Sequence, residues 1–379
     1  MNTLLLAITA LALVVLVALM LRPVQQDTTD KPGEDERISP LLRGINYLLS
    51  DKPDLALQEM VQVARLRSEA ADVYMALGEM FRSKGEIGRA VRIHQNLLAR
   101  PDLPKAMHLQ AHIALAIDFQ TGGLLDRALY QYQKALDIQP DHAAALEASL
   151  RIREQSSEWL LAEDLLSRLE RVRDESYSSY RAYLFSEVAG QHCQQAEVQD
   201  AHRYALKALD LDATCAPARM VEIELAFRDQ DEDKVESDIR LLWQNSREHF
   251  PLLIPLFLQY ESFYTQRGRS LLLEFWQESQ NVELLLAWLE NLANIRGIDE
   301  AQGLCQELAY TPDSLRASLR LTAILGEDDG VQTRFSREWR EKAKNFACEQ
   351  CGVEVVAMRW QCPQCHTWGS LHPKSDESI

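Results

Sequence analysis

Two stretches in the first half of the chain carry similar residues at the same spacing, and this internal repeat limits the fold more than any other feature. In both, a leucine is followed by a small residue, and an aromatic residue, a glycine and an alanine then come at identical offsets. The first stretch contains Leu77, Gly78, Phe81, Gly85, Ala90, His94, Leu97 and Pro101, and the second contains Leu115, Ala116, Phe119, Gly123, Ala128, Tyr132, Ala135 and Pro140. Repetition of this kind predicts a stack of similar supersecondary units rather than one globular core.

The repeated positions resemble the tetratricopeptide repeat (TPR), a helix–turn–helix unit of about 34 residues. A small residue such as Ala90 lets the two helices of a unit approach closely, and a large one such as Phe81 fills the space between them. Gly85 lies where the first helix must end and turn, and Pro101 closes the second helix.

Weaker copies of the unit follow, and helical periodicity continues to about residue 345. They are carried by Ala162, Leu166 and Leu169, by Ala189, His192, Ala201, Ala205 and Ala208, and by Trp288, Leu289, Leu292, Ala301, Cys305 and Leu308. Segments around 235–242 and 250–278 keep the helical period without the repeat pattern, and 41–65 predicts a further helix pair. We therefore expect an all-α TPR-type α-solenoid over residues 40–345, with about seven to nine helical pairs. Its concave face is the expected partner-binding surface, with no particular residues assigned.

The chain begins with an uncharged apolar segment, Leu4 to Leu21, in which Thr9 alone is polar. As a helix rising about 1.5 Å per residue, this segment would be roughly 27 Å long, close to the hydrocarbon thickness of a bilayer. A cleaved signal peptide is the competing interpretation, but the three residues before the segment carry no positive charge and no small-x-small cleavage site follows it. The pattern predicts a retained transmembrane anchor over residues 1–22.

Basic residues near the apolar segment predict its orientation. None precedes it, whereas Arg22, Lys31, Arg37 and Arg43 follow it. The positive-inside rule therefore places the N-terminus outside and the rest of the chain in the cytoplasm. Residues 23–39 are rich in Asp, Thr, Pro, Gly and Gln without apolar periodicity, and we expect a flexible tether there.

The charge balance argues against a nucleic-acid partner. The 379 residues include 40 basic and 57 acidic side chains, which gives a formal net charge of −17. Affinity for a phosphate backbone depends on clustered Lys and Arg, and this chain has an acidic excess instead.

The most specific chemical pattern lies near the C-terminus, where two Cys-x-x-Cys pairs are separated by ten residues. The pairs are Cys348 with Cys351 and Cys362 with Cys365. Each pair predicts a tight knuckle that presents two thiolates, and two knuckles complete a tetrahedral site for one metal ion. Because protein sulfur fills all four positions, the site is expected to be structural or electron-transferring rather than a water-activating catalyst.

Other interpretations of the cysteines fit less well. Disulfides require an oxidising compartment, which the predicted orientation opposes, and a thioredoxin-type dithiol uses one Cys-x-x-Cys pair rather than two. His366 and His372 lie close enough in sequence to be imagined as ligands, but four thiolates already satisfy the ion. The remaining cysteines stand singly in helical patterns and are interpreted as small buried residues: Cys193, Cys215 and Cys305.

The segment around the cysteines, residues 346–373, resembles the rubredoxin-like ribbon. It shares Phe346 two residues before the first knuckle, Trp360 two residues before the second, and Pro363 inside the second. Rubredoxins hold one iron ion by four thiolates and usually carry glycine after each knuckle, where the backbone takes positive φ. This chain keeps Gly352 but has His366 at the second place, which leaves iron and zinc both open. Residues 374–379 are expected to be a disordered tail.

No pattern of an enzyme active site stands out. The sequence has no Gly-rich phosphate loop, no G-x-S-x-G and no H-E-x-x-H, and its many acidic residues lie on helix faces and at helix starts. We therefore expect no catalytic residues and a protein that is not an enzyme.

The order of the three parts resembles the lipopolysaccharide assembly protein B family of Gram-negative bacteria. The residues that carry the resemblance are the Leu4–Leu21 span, the repeats that begin at Leu77 and Leu115, and the four C-terminal cysteines. The resemblance implies a single-pass inner-membrane protein with a periplasmic N-terminus. It also implies a regulatory adaptor of lipopolysaccharide biosynthesis, with lipopolysaccharide transport or synthesis proteins as further candidate partners.

In that family the protein acts with a membrane-bound AAA+ protease, FtsH, to promote degradation of the lipid A deacetylase that commits UDP-acylglucosamine to lipid A. The resemblance implies the same two partners here. Two other functions stay open from the residues alone: a rubredoxin-like electron-transfer component docked through the repeats, and a general scaffold for envelope assembly enzymes. A red, iron-loaded protein would favour the first, and unchanged deacetylase levels in a deletion strain would favour the second.

Overall fold

The computed structural model describes residues 71–312, 314–326 and 344–374, together with isolated positions between 43 and 59 and at 336 and 338. The predicted anchor Leu4–Leu21 and tether 23–39 lie outside the described residues, as do residues 375–379 of the predicted tail and most of the predicted first helix pair. Within the part of the chain that is described, no helix combines the length and the apolarity needed to cross a membrane.

The described chain is mostly helical, and the ten consecutive helices between Ala71 and Asn245 form five pairs. Their bounds are α1 Ala71–Ser83, α2 Ile87–Leu98, α3 Lys105–Thr121, α4 Leu125–Ile138, α5 Ala143–Gln155, α6 Trp159–Arg173, α7 Ser178–Gln194, α8 Val198–Leu211, α9 Ala216–Arg228 and α10 Glu232–Asn245. Contacts group the chain into two compact units, Met1–Gln131 and Tyr132–Ile379. The prediction of TPR-like helical pairs is confirmed for the described residues.

The turns inside these five pairs share one backbone conformation. The residue that leaves the first helix has positive φ in every pair: Gly85 (79°), Gly123 (74°), Ser157 (56°), Ala196 (60°) and Gln230 (56°). The N–H of the next residue donates to a carbonyl five positions earlier, for example Glu86 to Phe81 at 2.9 Å and Glu197 to His192 at 2.9 Å. These bonds satisfy carbonyl groups at the helix end that would otherwise lack a donor.

Five residues after the turn residue of each pair, the second helix places a small or β-branched residue in the core. These residues are buried and are Ala90, Ala128, Ala162, Ala201 and Val235. The repeat predicted from two stretches therefore extends over all five pairs, although the glycine that marks its turn is kept only in the first two.

One polar network is buried within the Met1–Gln131 unit. The His94 Nδ1 atom lies 2.5 Å from Asp118 Oδ2, and Arg82 donates to Asp118 Oδ1 at 3.0 Å. His94 and Asp118 are fully buried. The His94 ring rests on Gly78, where a Cβ atom would come within 2.2 Å of Nε2. The glycine of the repeat pattern is thus required here because it makes room for this ring.

The helices after Asn245 are less regular, and all but one of those described are shorter than the preceding ten. A 3₁₀ segment, Arg247–Leu253, leads into α11 and α12, and a π-helical turn, Tyr264–Gly268, precedes α13. The bounds are α11 Ile254–Gln259, α12 Glu261–Phe263, α13 Arg269–Ser279, α14 Val282–Arg296, α15 Ile298–Glu307 and α16 Leu315–Leu325. Their shared core is rich in leucine and in large aromatic side chains, including Trp243, Phe250, Phe257, Phe275 and Trp288.

A three-stranded antiparallel sheet follows the helices. Its strands are β1 Phe346–Cys348, β2 Glu354–Val355 and β3 Leu371–Pro373, in the order β2-β1-β3. Phe346 pairs with Val355 on one side and with Pro373 on the other. The N–H of Lys374 donates to the Asn345 carbonyl at 2.9 Å, which continues the pairing beyond β3. This sheet is the predicted ribbon.

Candidate metal centre

The two Cys-x-x-Cys pairs fold into knuckles with the same backbone bonds. In the first, the Cys348 N–H donates to the Val353 carbonyl at 2.9 Å, and the Gly352 N–H donates to the Cys348 carbonyl at 2.9 Å. In the second, the matching bonds run from Cys362 to Thr367 at 3.0 Å and from His366 to Cys362 at 3.0 Å. Each loop therefore turns both of its thiols toward the same point.

The structure brings the four predicted ligands together. All four Sγ atoms lie within 4.8 Å of one another. The Sγ atoms of Cys348 and Cys365 are 3.6 Å apart, and those of Cys351 and Cys362 are 3.7 Å apart. A tetrahedral ion with metal–sulfur bonds of about 2.3 Å separates its ligands by about 3.8 Å. The sulfur cage thus has the size that a single four-thiolate ion requires, for iron as for zinc.

The thiols of this cage differ in acidity. Burial opposes the Cys348 thiolate, but the Ser370 hydroxyl and nearby backbone N–H groups outweigh it and lower the pKa to about 6. The Thr367 hydroxyl lowers the pKa of Cys365. For Cys351, a backbone N–H favours the thiolate, yet burial and the three neighbouring sulfurs raise the pKa to about 12. Four sulfurs so close together cannot all ionise alone, whereas a bound cation would hold them as thiolates.

Both residues that follow the knuckles have left-handed backbone. Gly352 has φ of 72° and His366 has φ of 59°. The second knuckle therefore keeps the rubredoxin-like turn without its glycine. The His366 ring and the His372 ring are both absent from the four-cysteine group among the described residues, and one nitrogen of His372 instead lies near Glu248 and His249.

Trp368, which follows the second knuckle, packs the ribbon onto the helices. Its ring stacks on Tyr183 at 5.5 Å between centroids and meets Trp159 at 6.0 Å and Tyr180 at 6.3 Å. Its Nε1–H donates to Glu154 Oε1 at 3.1 Å. We call Glu154, Trp159, Tyr180 and Tyr183 the docking face.

Glu154 is the charged member of the docking face and is only 4% exposed. Its Oε1 atom accepts from the Tyr180 hydroxyl at 2.7 Å as well as from Trp368. Burial raises the pKa of this carboxyl above its ordinary value, although both donors favour the carboxylate. Burial also raises the pKa of Tyr180 well above its ordinary value, and the adjacent carboxylate adds to the shift, so the phenol stays a proton donor.

Gly369 shows how closely the ribbon approaches the docking face. It has φ of 61°, and a Cβ atom there would lie 2.1 Å from the Tyr183 hydroxyl oxygen. Its N–H donates to the Trp360 carbonyl at 2.7 Å. Glycine at this position serves both the backbone turn and the contact with the helices.

A second set of contacts holds the other side of the ribbon. The buried guanidinium of Arg316 on α16 donates to the Lys374 carbonyl at 3.2 Å and to Asn345 Oδ1 at 3.2 Å, which joins the two ends of the ribbon. The His249 ring packs against Trp360 at 5.0 Å between centroids. The ribbon is therefore fixed to the helices at two separate places.

The three isolated cysteines lie apart from the cage and form no disulfide. Cys193 and Cys215 are buried and Cys305 is half-buried. Burial raises the pKa of Cys193 to about 11 and that of Cys215 to about 12. They have the character of small core residues rather than reactive thiols.

Sequence reasoning missed the residues that attach the ribbon. Trp368 could have been found from the sequence, because a ribbon of this size is too small to bury a tryptophan ring by itself. Such a ring is expected to pack against another part of the chain. No comparable signal marks Glu154 or Arg316, because charged residues on helices usually face solvent.

Helical pairs of the TPR type followed by a rubredoxin-like ribbon with four convergent thiols define the class: a helical-repeat protein with a C-terminal metal-binding ribbon. Residues 346–373 match a family model described as the rubredoxin metal binding domain. Over 373 residues, 93% of this chain and 92% of the relative, the sequence is 27% identical to lipopolysaccharide assembly protein B of Haemophilus influenzae. It is 24% identical to the Escherichia coli K12 protein of that name, over 93% of each chain.

The predicted resemblance to the lipopolysaccharide assembly protein B family is confirmed by these relatives, because the similarity covers the helices and the ribbon together. Among solved structures, pilF of Pseudomonas aeruginosa is 17% identical, with a TM-score of 0.29, over 71% of this chain and 97% of that chain.

Proposed function

We propose that this protein is a non-catalytic, membrane-anchored adaptor that regulates lipopolysaccharide biosynthesis. One observation carries the proposal: the similarity to proteins named lipopolysaccharide assembly protein B covers 93% of the chain, and therefore both the helical pairs and the ribbon. A relative that shared only the helical pairs would support a binding role of any kind, since such arrays serve many partners.

In finer detail, the adaptor presents the lipid A deacetylase to a membrane-bound AAA+ protease of the FtsH type. The Leu4–Leu21 segment anchors the chain in the inner membrane with a periplasmic N-terminus, and the helices and ribbon lie in the cytoplasm. The anchor keeps the adaptor beside a protease in the same membrane, which raises the effective concentration of one for the other. The chain needs no catalytic residue of its own for this role.

The attachment of the ribbon bears on where a partner binds. Glu154 on α5 and Tyr180 and Tyr183 on α7 belong to the first helices of successive pairs, and the ribbon covers them through Trp368. First helices are the ones expected to line the concave face of such an array. A partner that binds beside these helices therefore contacts the ribbon as well. The four-thiolate centre is needed because it keeps the ribbon folded, and with it this combined surface.

The test is the half-life of the deacetylase in cells that carry the wild-type chain, a deletion of residues 2–21, or the double substitution Cys362→Ser with Cys365→Ser. Cys305→Ser is the matched control, because that thiol is half-buried and lies outside the metal cage. We expect the half-life of the deacetylase to lengthen in the deletion variant and in the double-cysteine variant, and to match the wild type in Cys305→Ser.

An unchanged half-life in both variants and also in a full deletion would contradict the proposal. It would favour the general scaffold for envelope assembly enzymes instead. Purification of the wild-type chain as a red, iron-loaded protein that bleaches reversibly on reduction would favour electron transfer.

A further inference from the structure

A second group of metal-binding side chains lies where the ribbon meets the helices. Glu248 and His249 belong to the 3₁₀ segment, and His372 belongs to β3. Each offers one ligand atom, and these atoms lie within 4.8 Å of one another. The ring centroids of His249 and His372 are 5.5 Å apart. Folding thus brings together residues from distant parts of the sequence.

The hydrogen bonding of His249 leaves one nitrogen without a donor. The side chain is 6% exposed. Its Nε2 atom lies 3.5 Å from the Leu371 carbonyl oxygen, which only accepts, so the ring proton belongs on Nε2. Nδ1 is then a lone-pair acceptor, and this buried atom has no hydrogen-bond partner.

Nδ1 of His249 faces a second acceptor. It lies 3.3 Å from Glu248 Oε1. A glutamate side chain is ordinarily a charged carboxylate at neutral pH. A lone pair and a carboxylate this close, with the nitrogen shielded from water, require a positive charge between them.

A divalent cation supplies that charge with chemistry suited to these ligands. Imidazole nitrogen and carboxylate oxygen are zinc ligands, and two histidines with one glutamate are a known set of three. A metal-bound histidine commonly donates its other ring N–H to a backbone carbonyl, which is the bond that Nε2 makes to Leu371. Glu349 Oε1 lies 3.6 Å from His372 Nε2 and places a second carboxylate beside the group.

We propose that Glu248, His249 and His372 form a second site for a divalent cation of the zinc class, separate from the four-thiolate centre. The ion joins the 3₁₀ segment to β3 and so fastens the ribbon to the helices. Three protein ligands leave the fourth position of a tetrahedral ion to water or to the Glu349 carboxylate.

A third group of residues with metal-binding side chains provides a comparison. His192, Glu197 and Asp200 also lie within 4.8 Å of one another by their ligand atoms. There, His192 Nδ1 is already 2.5 Å from Glu197 Oε2, and no member is buried. This group lacks a buried nitrogen without a partner, so it serves as the control.

The experiment uses the full-length chain purified in detergent with its four-thiolate centre already filled. Zn²⁺ is titrated, unbound metal is removed, and total metal per chain is measured by mass spectrometry. We expect a second equivalent in the wild type and in His192→Gln, and its loss in Glu248→Gln and in His372→Gln. The first equivalent should remain in every variant, which shows that the ribbon is still folded.

Cobalt distinguishes the two sites by their ligands. Co²⁺ added to the protein with a filled thiolate cage should give d–d absorption without a thiolate-to-cobalt charge-transfer band, and Glu248→Gln should abolish it. A wild-type chain that takes up only one equivalent overturns the proposal, since a protonated His249 paired with Glu248 then supplies the positive charge. Loss of the second equivalent in His192→Gln would also overturn it.

Discussion

The helical pairs and the ribbon are held together by different means. The helices bury long rows of apolar side chains, from Phe81 and Ile93 in the first pair to Trp288 in α14. The ribbon has strands of two or three residues, and its fully buried apolar group consists of Cys348, Cys362 and Leu371. So small a core cannot offset the entropy of ordering the chain. The ribbon must therefore draw its stability from the metal and from the docking face, and the two contributions can be separated experimentally.

Loss of the metal should have the largest effect. Structural metal binding contributes on the order of 10 kcal/mol to small metal-dependent folds. We expect Cys362→Ser with Cys365→Ser to unfold residues 346–373 while the helical circular dichroism signal is retained. Hydrogen exchange of the ribbon is the measurement, and Cys305→Ser is the control. Continued protection of the ribbon in the double variant would show that the docking face alone is sufficient.

The next effect separates docking from backbone strain. Gly369→Ala and Gly352→Ala both place a side chain at positive φ, at a cost of about 1 kcal/mol each. Only Gly369→Ala also brings a Cβ atom to 2.1 Å from the Tyr183 hydroxyl, and we expect about 2 kcal/mol more there. Both variants should keep the metal, but Gly369→Ala should lose protection of Tyr183 and its neighbours. Equal effects of the two substitutions would contradict the close contact.

Glu154 gives a smaller effect that depends on pH. Because its pKa is raised in the docked state, docking is strongest below the ordinary value of 4.5 and weakens as the pH rises through the raised pKa. Both donors reach Oε1, so Glu154→Gln can keep both bonds without the charge. We expect it to strengthen docking at neutral pH, because burial disfavours the charged carboxylate of Glu154 there.

Comparison with the wild type at each pH cancels the effect of acid on the thiolates. The advantage of Glu154→Gln should shrink toward acid pH. Weaker docking of this variant at neutral pH would show that the negative charge itself holds the ribbon.

The smallest effect concerns the second knuckle. His366 has φ of 59° where the first knuckle has Gly352. We expect His366→Gly to stabilise the ribbon by about 0.5–1 kcal/mol, since it relieves a left-handed backbone, and Gly352→His to have the opposite sign. The midpoint of metal release with increasing chelator measures both. If His366→Gly destabilised the ribbon, the histidine ring would make a contact that stabilises the ribbon by more than the left-handed backbone costs.

The helical pairs were largely predictable because the spacing of their buried residues is the same in pairs that lack the turn glycine. The turn residues Ser157, Ala196 and Gln230 are not glycines, yet each has positive φ like Gly85. Each is also followed by the same hydrogen bond, from the next N–H to the carbonyl five positions earlier. Sequence patterns identify the first two pairs by glycine, whereas the later ones are visible through alanines such as Ala162 and Ala201 five residues on. The local hydrogen bond imposes the turn even where the residue is unfavourable.

The four ligands of the metal centre were predictable, but the place where the ribbon attaches was not. Two Cys-x-x-Cys pairs define a cage by local geometry alone. The docking face instead lies far from Trp368 in sequence: Tyr183 is 185 positions earlier and Glu154 is 214 positions earlier. Only the packing of the ribbon on α5 and α7 gives these residues a role, and no spacing along the sequence encodes it.

The measurement that tests the account most directly is the lifetime of the lipid A deacetylase in cells carrying Trp368→Ala. This variant keeps the four thiolates and removes the ring that docks the ribbon, at an expected cost of about 3 kcal/mol. If the combined surface of ribbon and helices is the adaptor, the chain should retain its metal, the ribbon should lose its protection from exchange at the docking face, and the deacetylase should become long-lived. A normal deacetylase lifetime with the ribbon demonstrably released would contradict the account.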